Sequence, residues 1–406
     1  MDATKCEYVQ CMSVKLGSVT GLDLAQMNHQ HLHRWVELFI YAVAEAAIVC
    51  TDLSQVIGTA IAINILNPKI PTWAGCIISV LDTLLILLVY TRTGELRRMR
   101  FFEAFVGILV LIIFVTICVT LGMVSEPASE VFLGFIPSKA VFSGTGLYES
   151  CAMLGGILMP HSLYVGSSIT RSRLYHYDSK SRIDGEVSDA DSESYRPSVR
   201  AIKACMGYSI AELVFTLFTV GLVVNAALVI IAGSVFYNSP DSDTAINGDL
   251  PGLYSIFVKD VAPAAGTLFA ISLLFSGSSA GIVATMAGQI VMEAAINIRL
   301  SPLLRRLITR CVAIIPALIV AVSTGEKGLA QALVACNYVL AIGLIFVTAP
   351  LLYYPCRNKY MTVADGPTVA NFKNTLPNTI ASVLAWMLLV FMNVATIVLL
   401  ALNLSN

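Results

Sequence analysis

The stretch that decides the fold is Cys151–Leu174, CAMLGGILMPHSLYVGSSITRSRL. From Cys151 to Thr170 it carries no Asp, Glu, Lys or Arg, and about 20 such residues are what a helix needs to cross hydrocarbon. Pro160 stands in the middle of it. Proline removes a backbone donor and clashes with the preceding turn, so a continuous helix breaks there. Gly155 and Gly156 loosen the same place. At membrane depth a broken helix survives only where it lines a cavity, and there it exposes carbonyls to ions. Met159 flanks the break with a thioether, which favours softer transition-metal ions over Ca²⁺ or Mg²⁺. His161 follows, with a ring that titrates near neutral pH and can carry a proton. Read by themselves, these two side chains favour ordinary packing; together with the break, packing and a site fit equally well.

Composition places the rest of the chain in the same solvent. Of 406 residues, 57% are hydrophobic and 13% charged, where a soluble domain carries roughly 25% charged residues. Mean hydropathy is +0.78. Nothing alternates as the tilted strands of a membrane barrel do, so the reading is a polytopic helical bundle in lipid. A net charge of -1 leaves no footprint for nucleic acid. The ten cysteines are scattered without a C-x-x-C pair and read as polarisable packing residues.

Apolar runs predict about nine spans within residues 25–402. They lie near Trp35–Leu66, Pro71–Tyr90, Phe101–Val124, Ala140–Ser168, Cys205–Tyr237, Ala264–Ile298, Cys311–Val322, Leu329–Tyr353 and Thr379–Leu402. Residues 1–24 read as the tail of a further helix. The links after the second, fourth, sixth and eighth spans hold nearly all the arginines, as in Arg97–Arg98, Arg171–Arg173, Arg305–Arg306 and Arg357–Lys359, while the opposite links carry scattered lysines and clear acidity. That bias makes those links cytoplasmic. The longest of them, Arg171–Arg200, is rich in Ser, Asp and Glu and reads as a solvated, disordered linker, open to phosphorylation.

Charges inside spans need a reason, since each costs about 2.5–3.5 kcal/mol to insert. Glu45, Asp52 and Gln55 lie in the first span. Seven residues return a helix to nearly the same face, so Glu45 and Asp52 stack, with Gln55 one turn further. Such a stripe serves either a proton or cation path or an interhelical bond. Glu212 and Asn225 are weaker candidates for bonds to neighbours. The run His29–His33, HQHLH, reads as a solvated polar patch at a helix entrance rather than a metal cluster.

These residues resemble the Nramp family of divalent-metal transporters, its fungal branch in particular. Gly155–Ile169 resembles the signature around the family's sixth helix. Lys15–Gln26 looks like the end of the second helix, Ala44–Leu66 the third and Ser209–Gly233 the seventh. Ala287–Arg310 is similar to the eighth helix and start of the ninth, and Thr348–Val363 to the exit of the tenth. The resemblance implies an all-α membrane fold of two inverted five-helix repeats, LeuT-like, here without the first helix and most of the second. It implies a metal site at Met159 and the carbonyl of Gly156, with Asn337 at the position of a tenth-helix glutamine. It links His161, Glu45 and Asp52 to proton movement, and puts Arg305 and Arg306 near the cytoplasmic end of that path. The expected function is proton-coupled transport of Mn²⁺ or Fe²⁺, as substrates and not cofactors, across a plasma, endosomal or vacuolar membrane. No enzyme activity is expected.

The departures carry their own expectations. The family's first-helix Asp-Pro-Gly-Asn, source of its principal ligands, is absent from this chain. Gln55 replaces a glutamate, Ile345 a proline, and Gly277-Ser278-Ser279 a Gly-Gln-Ser. Gly166 stands where many members have a second histidine. Without a carboxylate, a dication in low dielectric is poorly balanced. Transport by the chain as it stands is therefore expected to be impaired. A non-transporting, receptor-like or partner-binding protein of the same fold is the alternative.

Overall fold

The computed structural model describes residues 2–79, 96–123, 127–136, 144–181, 195–238, 250–256, 258, 263–297, 302–365 and 368–401. These form α1 (Asp2–Thr20), α2 (Leu24–His31), α3 (Arg34–Leu66), α4 (Thr72–Ile78), α5 (Leu96–Met123), α6 (Ala128–Gly134), α7 (Gly144–Ile157) and α8 (Pro160–Ser181). There follow α9 (Val199–Thr216), a π-turn (Leu217–Gly221), α10 (Leu222–Asn238), α11 (Leu250–Ile256), α12 (Pro263–Ile296), α13 (Pro302–Ser323), α14 (Gly325–Tyr353), α15 (Asn358–Met361) and α16 (Leu376–Ala401). A short antiparallel hairpin, β1 (Thr362–Asp365) with β2 (Thr368–Asn371), is the only sheet among the described residues.

Local chemistry sets the helix starts. Pro160, Pro263 and Pro302 open α8, α12 and α13, at the one place where a missing N–H costs nothing. Ser198 caps α9 by accepting from Ala201 N, and Asp23 forms a reciprocal capping box with Gln26. α1 stops at Gly21, whose φ of +67° suits glycine.

Among the described residues, five helical stretches are long and apolar enough to cross a membrane: Arg34–Leu66, Val199–Ser234, Pro263–Ile296, Gly328–Cys356 and Leu376–Val398. Gly107–Met123 and Leu307–Ser323 are shorter apolar helices. All seven fall on expected spans. The second expected span is described only through Ser79; its remainder lies outside the described residues. Outward faces are apolar, with Phe215, Ile315, Leu384 and Phe391 exposed. Patches of that kind are unstable in water and ordinary in lipid.

α3 forms the middle of the bundle, packed against α4, α12, α13 and α14. Its seam with α14 is antiparallel: Phe39 meets Phe346 edge-on at 5.0 Å between ring centroids, and about one turn along α14 Gly343 faces Val43 and Ala47. α1 lies parallel to α8. Gln10 donates to Ser162 Oγ at 2.6 Å, Ser13 to the Leu163 carbonyl, and Gly17 abuts the Ser167 carbonyl. Gly166 packs against the same helix, where a Cβ would lie 3.0 Å from Ser13 Oγ and 3.2 Å from Gln10 Oε1.

The expected disordered linker needs correcting at both ends. Residues 171–181 continue α8, and residues 195–198 are tied back to it. The Asp178 carboxylate accepts from Tyr195 Oη at 2.9 Å, Ser198 N at 3.0 Å and Ser198 Oγ at 2.6 Å. Three bonds to one buried carboxylate hold the segment in place, which its composition did not suggest. Residues 182–194 lie outside the described residues.

Asp23, buried in the α1–α2 corner, yields a first prediction. Burial pushes its pKa from 3.8 up to about 6, opposed by hydrogen bonds from the Gln26 and Ala25 backbone and by the Arg171 charge. A raised acid binds its proton more tightly folded than unfolded, so stability falls as pH rises through 3.8 to about 6. Asparagine caps a helix as well as aspartate and carries no charge to desolvate. Asp23→Asn is expected to raise stability at pH 7.5 by up to about 3 kcal/mol, with the gain shrinking by pH 5 and gone below the unfolded value. Thermal unfolding in detergent at both pH values checks this; an equal effect at both would contradict it.

Candidate metal and proton site

The helix break is where the sequence puts it. α7 ends at Ile157, with Leu158 N still donating to the Leu154 carbonyl at 2.9 Å. α8 begins at Pro160, and the Met159 carbonyl accepts from Ser162 N at 3.1 Å and Ser162 Oγ at 2.7 Å. The carbonyl four residues before Pro160 belongs to Gly156, and proline offers it no N–H. That frees one backbone oxygen at the break.

α14 brings the third expected ligand to it. Gly155 packs so closely that a Cβ there would lie 2.3 Å from the Asn337 carbonyl oxygen and 2.7 Å from Ala341 N. At Gly156 a Cβ would be 3.6 Å from Asn337 Oδ1 and 3.7 Å from Nδ2. The Asn337 amide therefore lies against Gly156, and Met159 follows in the half-buried break. Thioether, carbonyl and amide together make a neutral donor set suited to a soft or borderline ion. The described residues contain no group of three His, Cys, Asp or Glu side chains that could hold a metal.

The charged residues form a separate line between α3 and α13. Arg305 Nη2 donates to Glu45 Oε1 at 2.6 Å, with Arg305 6% and Glu45 22% exposed. Gly288 of α12 makes room for the guanidinium; a Cβ there would sit 2.5 Å from Nη2. Asp52 is buried, and so is His161, whose Nδ1 is 3.4 Å from Thr51 Oγ1. Thr51 gives its own proton to the Ala47 carbonyl at 2.9 Å, so its lone pairs face the imidazole. Arg306 follows Arg305 in α13, but its side chain lies outside the described residues.

Arg310 escaped the sequence reading. It is fully buried, with Nη1 3.4 Å from the Asp52 carbonyl oxygen. The available signal was its place, one residue before the expected Cys311–Val322 span, where an arginine must enter hydrocarbon or be paired. Gln55 is buried, and neither its Oε1 nor its Nε2 has a hydrogen-bond partner among the described residues; Thr59 Oγ1 is in the same condition one turn on. Ordered water satisfies such polar pairs in membrane interiors.

The histidine run divides three ways. His29 Nδ1 meets the buried Glu37 at 2.7 Å, and Arg34 Nη1 meets the same carboxylate at 2.8 Å. His31 stacks on Tyr360, and His33 caps α3. Glu212 pairs with Arg173 at 2.8 Å, while Asn225 bonds within its own helix to the Gly221 carbonyl.

Residues 6–400 match the family model of natural resistance-associated macrophage protein-like (Nramp) chains. Over 372 residues the chain is 42% identical to the manganese transporter SMF1 of Saccharomyces cerevisiae, covering 87% of this chain and 64% of that one. It is 44% identical to the manganese transporter pdt1 of Schizosaccharomyces pombe, covering 89% and 68%. An iron transporter, SMF3 of S. cerevisiae, matches at 43%, covering 88% and 74%. The chain thus spans about two thirds of the length of these relatives, all named as transporters and none as an enzyme. A crystal structure of a mutant manganese transporter of Eremococcus coleocola superposes with a TM-score of 0.78 at 29% identity, covering 97% of this chain and 77% of that one. The break at Pro160, the paired charges of α3 and α13 and the match along nearly the whole sequence lead to one assignment: the chain belongs to the Nramp family.

Proposed function

We propose that this chain moves divalent transition-metal ions, Mn²⁺ or Fe²⁺, across a membrane together with protons. The observation that carries the reading is that the Asn337 amide lies within 4 Å of the Gly156 Cβ position, three residues before Met159, at a helix break inside an apolar bundle. The ion exchanges water for these donors. The thioether gives preference over Ca²⁺ and Mg²⁺, which take oxygen. Protons travel by a separate route, from His161 past Asp52 to Glu45, with Arg305 orienting the Glu45 carboxylate. Relatives named for manganese and iron support the substrate class. A plasma, endosomal or vacuolar membrane suits the reading.

The donor set is uncharged, so we further propose that these residues by themselves hold a dication weakly. Expressed in manganese-uptake-deficient cells, the chain is expected to restore growth feebly. Met159→Ala should remove what remains, lowering Mn²⁺ uptake at least about tenfold. Vigorous rescue would overturn the weak-binding statement, and rescue indifferent to Met159→Ala would overturn the site.

A further inference from the structure

The cysteines read from the sequence as scattered packing residues, yet two of them meet across the central seam of the bundle. Cys50 lies in α3 and Cys336 in α14, both as free thiols, with Cys336 buried and Cys50 half-buried. Their side chains are hydrogen-bonded to each other. The Ser54 hydroxyl, one turn on in α3, bonds with Cys336 as well and donates to the Cys50 carbonyl at 3.0 Å.

The register of the seam puts the two thiols face to face. α3 and α14 run antiparallel, with Phe39 against Phe346 and Val43 against Gly343. Seven residues on from Val43 is Cys50, and seven residues back from Gly343 is Cys336. Seven residues return a helix to nearly the same face, so the contact recurs two turns further along. The helices are close enough for a covalent bridge. A Cβ at Gly343 would lie 3.4 Å from Val43 Cγ1 and 3.9 Å from Ala47 Cβ, and the usual Cβ separation across a disulfide is about 3.8 Å. Among the described residues no third His, Cys, Asp or Glu joins the pair, so the thiols lack the further ligands of a closed metal site.

We propose that Cys50 and Cys336 are a redox modification site, forming a reversible disulfide with a peroxide as oxidant and so locking α3 to α14. A small uncharged peroxide reaches Cys50, the less buried thiol, first. The Cys50 sulfur takes one peroxide oxygen to become a sulfenic acid, and one water leaves. The Cys336 sulfur then displaces that oxygen, which departs with the Cys336 thiol proton as a second water. Two thiols lose two electrons in all, and one peroxide is reduced to two waters. A thiol reductant reverses the bond. Cys336 directly precedes Asn337, so on the transport reading above the bond also fixes the helix that carries the amide of the metal seat. Alternating access needs one group of helices to rock against another, and a tied seam resists that motion.

The test treats the full chain in nanodiscs with hydrogen peroxide, alkylates the remaining thiols and maps its peptides by mass spectrometry. A peptide joining Cys50 to Cys336 is expected, lost again after dithiothreitol. The apparent melting temperature should rise by about 5 °C with it, because the bond closes a long loop. Cys50→Ser and Cys336→Ser should each lose both effects, while Cys311→Ser, at an exposed position of α13, should keep them. In proteoliposomes oxidation should lower Mn²⁺ uptake at least about fivefold, and dithiothreitol should restore it. No joined peptide, or a joined peptide without the melting shift, overturns the proposal, as does uptake by the joined chain equal to that of the reduced one. A reduced chain that takes up no Mn²⁺ fails the transport reading alone, and the peptide map and melting shift then decide the thiol pair.

Discussion

Glu45→Ala is expected to destabilise the bundle by about 3–5 kcal/mol, because it strands the Arg305 guanidinium in a seam it cannot leave. Arg305 is only 6% exposed, pinned between α3 and the glycine notch at Gly288. Removing its carboxylate leaves a desolvated charge without its partner, whereas removing both charges leaves an apolar gap that side chains can fill. The double variant Glu45→Leu/Arg305→Met should therefore recover most of the lost stability. It should not recover the pH dependence of uptake, since the group proposed to receive protons is gone. Thermal unfolding of the detergent-solubilised variants, with Mn²⁺ uptake at pH 5.5 and 7.5, separates the two effects. A double variant as unstable as Glu45→Ala would show that the pair is not the cause.

Gly155→Ala adds one methyl group and is expected to abolish metal uptake while lowering stability by about 3 kcal/mol. The new Cβ would fall 2.3 Å from the Asn337 carbonyl oxygen and 2.7 Å from Ala341 N. Both are backbone atoms, so no rotamer relieves the clash and α7 must lift from α14. That lift separates Gly156 from the Asn337 amide, which is the proposed metal seat. Gly207→Ala in α9 is the contrast. Nothing lies within 4 Å of its Cβ, and alanine in an exposed helix is about 1 kcal/mol better than glycine. Uptake by Gly155→Ala equal to that of Gly207→Ala would refute the close approach.

Both predictions turn on contacts that no stretch of sequence displays, and this divides what could be read from what could not. The seven apolar helices found among the described residues were legible because insertion into lipid depends on a running sum of side-chain transfer energies, a local quantity. The break was legible because proline acts on its own turn. The third-helix carboxylates were legible by helical period. Their partners were not. Asp52 beside Arg310 and Glu45 against Arg305 are separated by roughly 260 residues in the chain, and pairing at that range depends on how helices pack. The two ends of the linker were misjudged for the same reason. Its polar composition suggested solvation, but the Asp178 carboxylate gathers three donors from the far end.

The segment around Pro160 shows the same division. By itself the sequence determined that a helix enters the membrane there, breaks, and leaves the Gly156 carbonyl without its donor, because each step is written in neighbouring residues. Only the tertiary structure decided what packs against that glycine. The Asn337 amide lies against Gly156 because Gly155 lets two helices meet backbone to backbone, and close packing of that kind is a property of surfaces brought together, not of either strand of sequence.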